Sequence, residues 1–360
     1  MWFKKPVILF ILFLILIGIV LNACGSNSGN VKNNGGNNTL PANEIPSENN
    51  KSTPEEKIIN PLTGLMVPKN SLLKRPFAVV IENEKKSRPQ SGLYKADVVY
   101  EVLAEGGITR FLALYLSFDP EKDLEIGPVR SARPYLIEFA KNYGAVFVHY
   151  GGSPQAYSYF KEDKKFPHID GIYDNVTFYR KKERPAPHNA YTSMDKLVST
   201  ANRLNLYKDV DTKPFEFSDE ESDIINDFQT AEKVEIPYNS SYKVTYIFDK
   251  KEGIYRRFMN ENLHADKNTN NPITTKNLLI LYMNTKVIDK EGRLTIETYG
   301  SGNGFYIFDG KCVKILWERK ENGNLKLLSL DKKNIKLRKG NIWIQVVPQN
   351  TKIKFDSNNN

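Results

Sequence analysis

The sequence predicts a mixed α/β fold followed by a β-rich C-terminal part. Between residues 134 and 163, helical and strand patterns alternate along the chain, as they do in α/β proteins. From 233 to 355, short runs of alternating apolar and polar residues are separated by turn signals, which is typical of β-sheets. We therefore expect an α/β N-terminal domain over 61–232 and a β-rich C-terminal domain over 233–355.

The chain begins with the pattern of an export signal. Lys4 and Lys5 precede an apolar run of 15 residues, 7–21, which is short for a helix that must span a membrane. The run ends in Leu-Asn-Ala-Cys, which resembles the Leu-x-x-Cys lipobox of bacterial lipoproteins and places the cysteine at Cys24. By that resemblance, residues 1–23 are a signal peptide, and a lipid on Cys24 holds the protein at the extracytoplasmic face of the cell membrane. An uncleaved signal anchor is the alternative, and it gives the same topology.

Residues 24–60 have the composition of a disordered tether. After Cys24 they include ten Asn, four Gly and four Ser but no aromatic residue, so they cannot bury enough apolar surface to offset their chain entropy. As a random coil, such a segment spans roughly 30 to 36 Å. This length suits a folded domain held away from a membrane.

Charge and cysteine content exclude several classes of function. The formal net charge of +9 falls to +7 when Lys4 and Lys5 are removed with the signal. A modest excess of scattered lysines outside the cell favours anionic wall polymers, lipid head groups or acidic glycans over nucleic acid. Cys312 is the only cysteine beyond Cys24, which excludes an intramolecular disulfide in the folded part and a Cys-x-x-Cys metal site. We expect no cofactor and no metal.

The first part of the N-terminal domain predicts a strand over 77–83 and a β-hairpin around Gly106-Gly107. A two-residue Gly-Gly loop would pair Leu103 with Arg110 and would place Arg110 diagonally between Glu101 and Glu105. Four residues of strand separate the two glutamate Cα atoms by about 13 Å, which is too far for a glycosidase pair. We expect the glutamates to pair with Arg110 instead.

A helix, a strand and a second helix follow. The first helix begins at Pro134, the strand ends at Tyr150, and Ser153 caps the second helix. This chain direction brings both helix starts and His149 to one rim, where amide N–H groups favour anions. Gly151 and Gly152 would let a ligand approach the backbone. Arg130 and Arg133, which flank Ser131 just before the first helix, become the leading candidates for contact with an anion.

The stretch from 161 to 190 is rich in Pro, Gly, Asp and Asn and predicts a long irregular binding surface or lid. It contains His168, His188 and Asn189, and loop histidines are often functional. A turn-stabilising role is an equal alternative for each histidine. A capped helix is expected to begin near Thr192 or Ser193.

In order, the segments NPLTG, ADVVYEVLAEGGITRFLALY, GPVRSARPY, HYGGSPQA, APHNAY and IWIQVVP resemble the YerB-like lipoprotein family of Bacillus and its relatives. The resemblance covers most of the chain from Asn60 to Pro348. It implies a mixed α/β domain of layered sheets and helices, a β-rich C-terminal part and a lipoprotein. It carries over no reaction.

Three hypotheses of function follow. The first is a membrane-anchored binding module for an anionic wall polymer, a glycan or a protein partner. The second is a wall-acting hydrolase or transferase with a histidine general base and an arginine-lined site, and the third is a structural envelope scaffold. No catalytic nucleophile can be named. The candidate ligand-binding residues are Arg130, Arg133, His149, Gly151, Gly152, Ser153, His188, Asn189, Arg110 and Glu101.

Each candidate also has a structural alternative. The arginines could pair with protein carboxylates, Glu101 and Glu105 being the nearest named ones. His149 could be a core histidine with one ring nitrogen on a backbone carbonyl.

Overall fold

The computed structural model describes residues 56–220, 228–321 and 323–356. The predicted signal peptide, Cys24 and most of the predicted tether lie outside these residues. The tether was expected to reach residue 60, but Lys57–Ile59 already forms a strand that pairs with Met66–Pro68. The apolar pair Ile58 and Ile59 explains the difference, because such residues favour extended structure.

Strands dominate the described residues, of which 44% lie in strands and 13% in helices. The predicted mixed α/β class is therefore correct in having layered sheets with helices, but it overstates the share of helix. The α-helices are α1 (Pro134–Lys141), α2 (Pro154–Glu162) and α3 (Met194–Arg203), and four 3-10 helices of three residues each make up the rest of the helical share. The strands are β1 Lys57–Ile59, β2 Met66–Pro68, β3 Leu72–Glu82, β4 Val98–Leu103, β5 Thr109–Ser117, β6 Glu125–Ile126, β7 Val146–His149, β8 His168–Asp170, β9 Tyr179–Arg180, β10 Ala190–Ser193, β11 Phe217–Ser218, β12 Gln229–Thr230, β13 Lys233–Asn239, β14 Tyr242–Asp249, β15 Ile254–Met259, β16 Asn262–Leu263, β17 Thr274–Thr275, β18 Asn277–Tyr282, β19 Thr285–Val287, β20 Leu294–Ile296, β21 Gly300–Phe308, β22 Lys311–Arg319, β23 Lys326–Leu328, β24 Leu337–Arg338, β25 Ile342–Val347 and β26 Lys354–Asp356.

A central sheet of eleven strands organises the fold. Its order is β12-β22-β21-β18-β25-β4-β5-β3-β7-β8, and β23 extends it beside β22. Strands β18, β25 and β4 are mutually parallel, as are β3, β7 and β8. Because β5 runs antiparallel to both β4 and β3, all six strands point the same way. Their carboxyl ends therefore meet at one edge of the sheet.

The two faces of the central sheet are covered by different layers. On one face Tyr100 of β4 stacks on Phe139 of α1 with ring centroids 4.6 Å apart. On the other face Gln345 of β25 accepts a hydrogen bond from Tyr238 and donates one to Tyr246, both in the second, six-stranded sheet. The result is a helix layer, a central sheet and a second sheet. None of the described helices is long and apolar enough to cross a membrane.

The predicted division near residue 232 does not separate two hydrophobic cores. Strand β25, from the predicted C-terminal domain, lies between β18 and the N-terminal strand β4. Its residues Trp343 and Ile344 are almost fully buried in the core that both parts share. Parallel pairing of β25 with β4 joins residues far apart in the sequence, which local patterns do not reveal.

The predicted register of the Gly106-Gly107 hairpin is wrong by one residue. Both glycines do have positive φ, but they belong to a three-residue turn, Glu105–Gly107, closed by a hydrogen bond from Ala104 to Ile108. Arg110 therefore pairs with Val102 rather than with Leu103. Since a one-residue slip exchanges the faces of a strand, Arg110 points away from Glu101.

Glu101 instead forms a buried ion pair between the two sheets. Its Oε2 lies 2.7 Å from Nη2 of Arg257 in β15, and neither side chain is exposed to solvent. Its Oε1 accepts hydrogen bonds from the hydroxyls of Thr109 and Tyr242. The Arg257 guanidinium also lies over the Trp343 ring, 4.7 Å from its centroid. The cost of removing both charges from water is offset by these contacts.

A buried histidine, His264, contacts Arg257 of this ion pair. Burial and the charge of Arg257 hold the pKa of His264 well below its usual range, so its ring is neutral. Its Nδ1 accepts a hydrogen bond from Arg257 at 2.6 Å, and its Nε2 donates to Gln90 at 2.9 Å.

Replacing Arg257→Leu should lower the free energy of unfolding by about 3 to 5 kcal/mol, because Glu101 would be left buried without a counter-ion. The matched control is Arg256→Leu. Arg256 is the preceding residue on the opposite face, where it pairs with Asp249 and is 37% exposed. The control should cost less than about 1 kcal/mol. Urea denaturation measures both, and equal losses would contradict the role given to the buried pair.

Candidate functional site

A polar cleft of about 370 Å³ opens at the carboxyl edge of the central sheet. Strand β3 ends there, at Glu82, and β5 begins there, at Thr109. Ligands of open sheets commonly bind beyond the carboxyl ends of parallel strands. The charged and titratable side chains of this polar cleft are Glu82, Glu84, Lys86, Glu105, Arg110, Arg130 and His188.

On one side of the polar cleft, Glu82 holds Arg130 and His188. Arg130 Nε lies 3.0 Å from Glu82 Oε1, and His188 Nδ1 lies 3.0 Å from Glu82 Oε2. The backbone N–H of Arg130 donates to Val80 of β3, which ties the arginine segment to the sheet. No hydrogen-bond partner for His188 Nε2 is present in the described part of the chain. The imidazole is thus oriented by a carboxylate and presents its other nitrogen to the cleft.

On the other side, Arg110 and Arg133 share a single carboxylate. Arg110 Nη2 lies 3.1 Å from Glu105 Oε2, and Arg133 Nε contacts Glu105 Oε1. Arg110 also donates to the carbonyl of Ser131 at 3.2 Å. Both arginines are only 8% exposed. We call Arg110, Arg133 and the Glu105 carboxylate that they share the arginine triad.

The arginine triad holds more positive than negative charge. Burial lowers the pKa of Arg110 to about 10, and nearby Arg133 adds to this effect although Glu105 opposes it. Burial by itself would raise the pKa of Glu105, but the hydrogen bond from Arg133 and the charges of both arginines hold it below its ordinary value. The carboxylate is therefore charged at neutral pH, and two guanidinium groups compete for it.

A second cavity of about 420 Å³ lies on the far side of Arg133, and we call it the helix-start pocket. The first turns of α1 and α2 both line this pocket, as the chain direction predicted. Ser153 is the N-cap of α2 and accepts a hydrogen bond from the N–H of Ala156 at 3.2 Å. Ser131 is not a helix cap, because Arg133 occupies that position in α1 and Ser131 donates to the carbonyl of Tyr150. The pocket is lined by Arg133, Pro134, Tyr135, Glu138, Ser153, Gln155, Ile288, Arg293, Leu294, Thr295, Ile296, Glu297, Thr298 and Tyr299.

His149 does not reach this rim and cannot act there as a ligand or a general base. It is fully buried, its Nδ1 lies 2.8 Å from the carbonyl of Gly151, and its Nε2 lies 3.1 Å from His168 Nδ1. Both rings stack on Phe160. Burial lowers the pKa of His149 to about 4, although the charge of Asp170 acts in the opposite direction. Strand β7 does end at the carboxyl edge of the sheet, as expected. Side chains alternate between the two faces of a strand, however, and that of His149 points into the core.

The two predicted glycines and Asn189 have internal partners. The N–H of Gly151 donates to Asp170 Oδ1 at 2.8 Å, and Gly152 forms a bridge with Ala132. Asn189 accepts a hydrogen bond from Arg180 at 2.6 Å, which supports the loop carrying His188. These residues shape the site without lining either cavity.

Sequence reasoning missed Glu82, Glu84 and Lys86. Glu82 ends the buried strand that was predicted over 77–83. An acidic residue at the carboxyl end of such a strand is a signal that could have identified it.

Comparison with known proteins gives consistent matches. Residues 62–207 match the family model described as "Protein of unknown function (DUF3048) N-terminal domain", and 234–344 match the C-terminal domain of the same family. The chain is 34% identical over 297 residues to YerB of Bacillus subtilis (strain 168), whose name describes a candidate lipoprotein; the match covers 81% of this chain and 87% of YerB. The crystal structure of YerB protein from Bacillus subtilis matches with a TM-score of 0.73 and 34% identity, covering 83% of this chain and all of that one.

Two substitutions test the charge balance of the arginine triad. Glu105→Gln should lower the free energy of unfolding by about 3 kcal/mol, because two buried arginines would lose the carboxylate that they share. Arg110→Gln should change it by less than about 1 kcal/mol, because a matched Glu105–Arg133 pair remains. Chemical denaturation at pH 7 measures both variants. If Arg110→Gln is as destabilising as Glu105→Gln, the triad has no excess of positive charge.

Stability should fall in mild acid because of His149. Its pKa in the folded protein lies below the usual value of about 6.5, so only the unfolded chain gains a proton as pH falls below 6.5. The resulting stability is fully present above pH 6.5 and is lost as pH falls towards 4. We expect His149 to account for a loss of roughly 1 to 2 kcal/mol between pH 7 and pH 5.

Urea unfolding at the two pH values provides the measurement. A His149→Gln variant should lose less stability than wild type over this interval, although His168 and His264, whose pKa values are also lowered by burial, contribute further losses. An identical loss in the variant would show that His149 is not the responsible group.

Proposed function

This chain belongs to the DUF3048 family, and we propose that it is a lipid-anchored protein of the extracytoplasmic face whose polar cleft binds an anionic group of a cell-envelope ligand or protein partner. The observation that carries the proposal is the arginine triad, in which Arg110 and Arg133 share one carboxylate, that of Glu105. A carboxylate or phosphate beside Arg110 would restore the balance of charge. Arg110 lines the polar cleft and is the member of the triad that such a group can reach.

The anchor rests on the N-terminal pattern and on the family. The short apolar run 7–21 and the lipobox-like sequence ending at Cys24 are those of an exported lipoprotein. YerB, which is named as a candidate lipoprotein, shares 34% identity with this chain. Together they support a lipid on Cys24 and a folded part that begins at β1.

A second candidate function is hydrolysis, because of the geometry of His188. A carboxylate that orients one ring nitrogen while the other faces a cleft is the arrangement of a general base. Glu82 and His188 meet this description. The hydroxyl of Thr109, which also lines the cleft, donates to Glu101, so the base would have to activate water rather than a side-chain nucleophile.

Binding of anions should depend on Arg110. In the mature lipidated protein, citrate, glutarate and inorganic phosphate should raise the unfolding temperature of wild type, since a ligand stabilises the state that binds it. The Arg110→Gln variant should lose at least tenfold in affinity for the best of these probes. Thermal shift titration supplies the measurement, and co-sedimentation with purified wall material extends it to polymers.

Arg203→Gln is the matched control, because Arg203 is an exposed arginine on α3 that pairs with Asp174. It should bind as wild type does. If Arg110→Gln also binds as wild type does, the anion site fails. Release of fragments from wall material by wild type, lost in His188→Gln, would favour the hydrolase instead.

A further inference from the structure

The polar cleft and the helix-start pocket share a wall. Glu105 lines the cleft, Arg133 lines the pocket, and the two side chains contact each other. One ion pair therefore separates a cavity of about 370 Å³ from one of about 420 Å³. A ligand bound beside Arg110 has the second cavity within reach of its next few atoms.

The two cavities differ in chemistry. Aliphatic side chains of the β19–β20 hairpin and its neighbours line the helix-start pocket, namely Ile288, Leu294 and Ile296. Ile288 is 46% exposed, so part of this apolar lining is open to solvent. Such surface beside a charged cleft suits a ligand with one charged group and one apolar group.

The helix-start pocket also offers polar groups of both kinds. Glu138 lines this pocket, with the guanidinium of Arg319 3.9 Å from its Oε2 and the Tyr159 hydroxyl as a further polar neighbour. A carboxylate can accept several hydrogen bonds, so that of Glu138 can accept one more from a ligand. Tyr135 and Gln155 also line the pocket, and each is the second residue of its helix, where no earlier turn satisfies the amide N–H. A ligand backbone with alternating donors and acceptors would match both.

We propose that the two cavities form one site for an extended acidic peptide, with a carboxylate against Arg110 and a neighbouring aliphatic side chain in the helix-start pocket. This rests on the proposed function of the polar cleft and gives it a ligand class. Polyanionic wall polymers lack aliphatic side chains.

The test uses the immobilised mature chain and a pool of N-acetylated random hexapeptides with free carboxyl ends, and bound peptides are identified by mass spectrometry. Wild type should enrich peptides in which Leu, Ile or Val lies within three residues of a carboxylate. The strongest peptide should bind Leu294→Asn about tenfold more weakly than wild type, because the buried aliphatic contact is lost. Its analogue with glycine at the aliphatic position should bind both proteins equally.

Two further variants separate the outcomes. Ile288→Ser perturbs the same pocket at an exposed position, so it tests the pocket even if Leu294→Asn fails to fold. Leu263→Asn, on exposed strand β16, is the control and should bind as wild type does. The peptide inference is overturned if wild type enriches no aliphatic acidic peptide or if both pocket variants bind like wild type. If simple anions still bind through Arg110 in that case, the proposed function stands without it.

Discussion

The buried ion pair between Glu101 and Arg257 is the contact on which the arrangement of the two sheets depends. Glu101 belongs to the central sheet and Arg257 to the second sheet, so each charge is tolerated only while the sheets are packed in this register. Removing two charges from water is expensive, and apolar side chains of the same volume would stabilise such an interface at least as well. The pair therefore makes the packing specific more than it makes the protein stable.

A second group of charged side chains lies on the other face of strands β4 and β5, and its charges are not balanced. On the side facing the second sheet, Glu101 has a full set of partners. On the side facing the helices, Arg110 and Arg133 have only Glu105 between them. Proteins that bind ligands commonly accept an uncompensated charge where the ligand will compensate it, at some cost in stability. Strands β4 and β5 thus separate the buried Glu101–Arg257 ion pair from the arginine triad of the polar cleft.

Local signals predicted the features that depend on a few neighbouring residues. The cap of α2 was predictable, because Ser153 is followed by Pro154 and by residues that favour a helix. The alternation of helix and strand also predicted that both helix starts lie at one place. The register of the hairpin was missed because a Gly-Gly pair permits loops of either two or three residues. The partner of Glu101 could not be found by any local rule, since Arg257 is 156 residues away.

The position of β25 determines when the protein can fold. Strand β4 pairs with β5 on one side and with β25 on the other, and β25 begins at Ile342. A chain is made from its N-terminus, and early segments ordinarily fold first. Here the middle of the main sheet stays open until Ile342–Val347 has been released. A chain whose main sheet is still open can pass through a narrow translocation channel, as the proposed export to the cell surface would require.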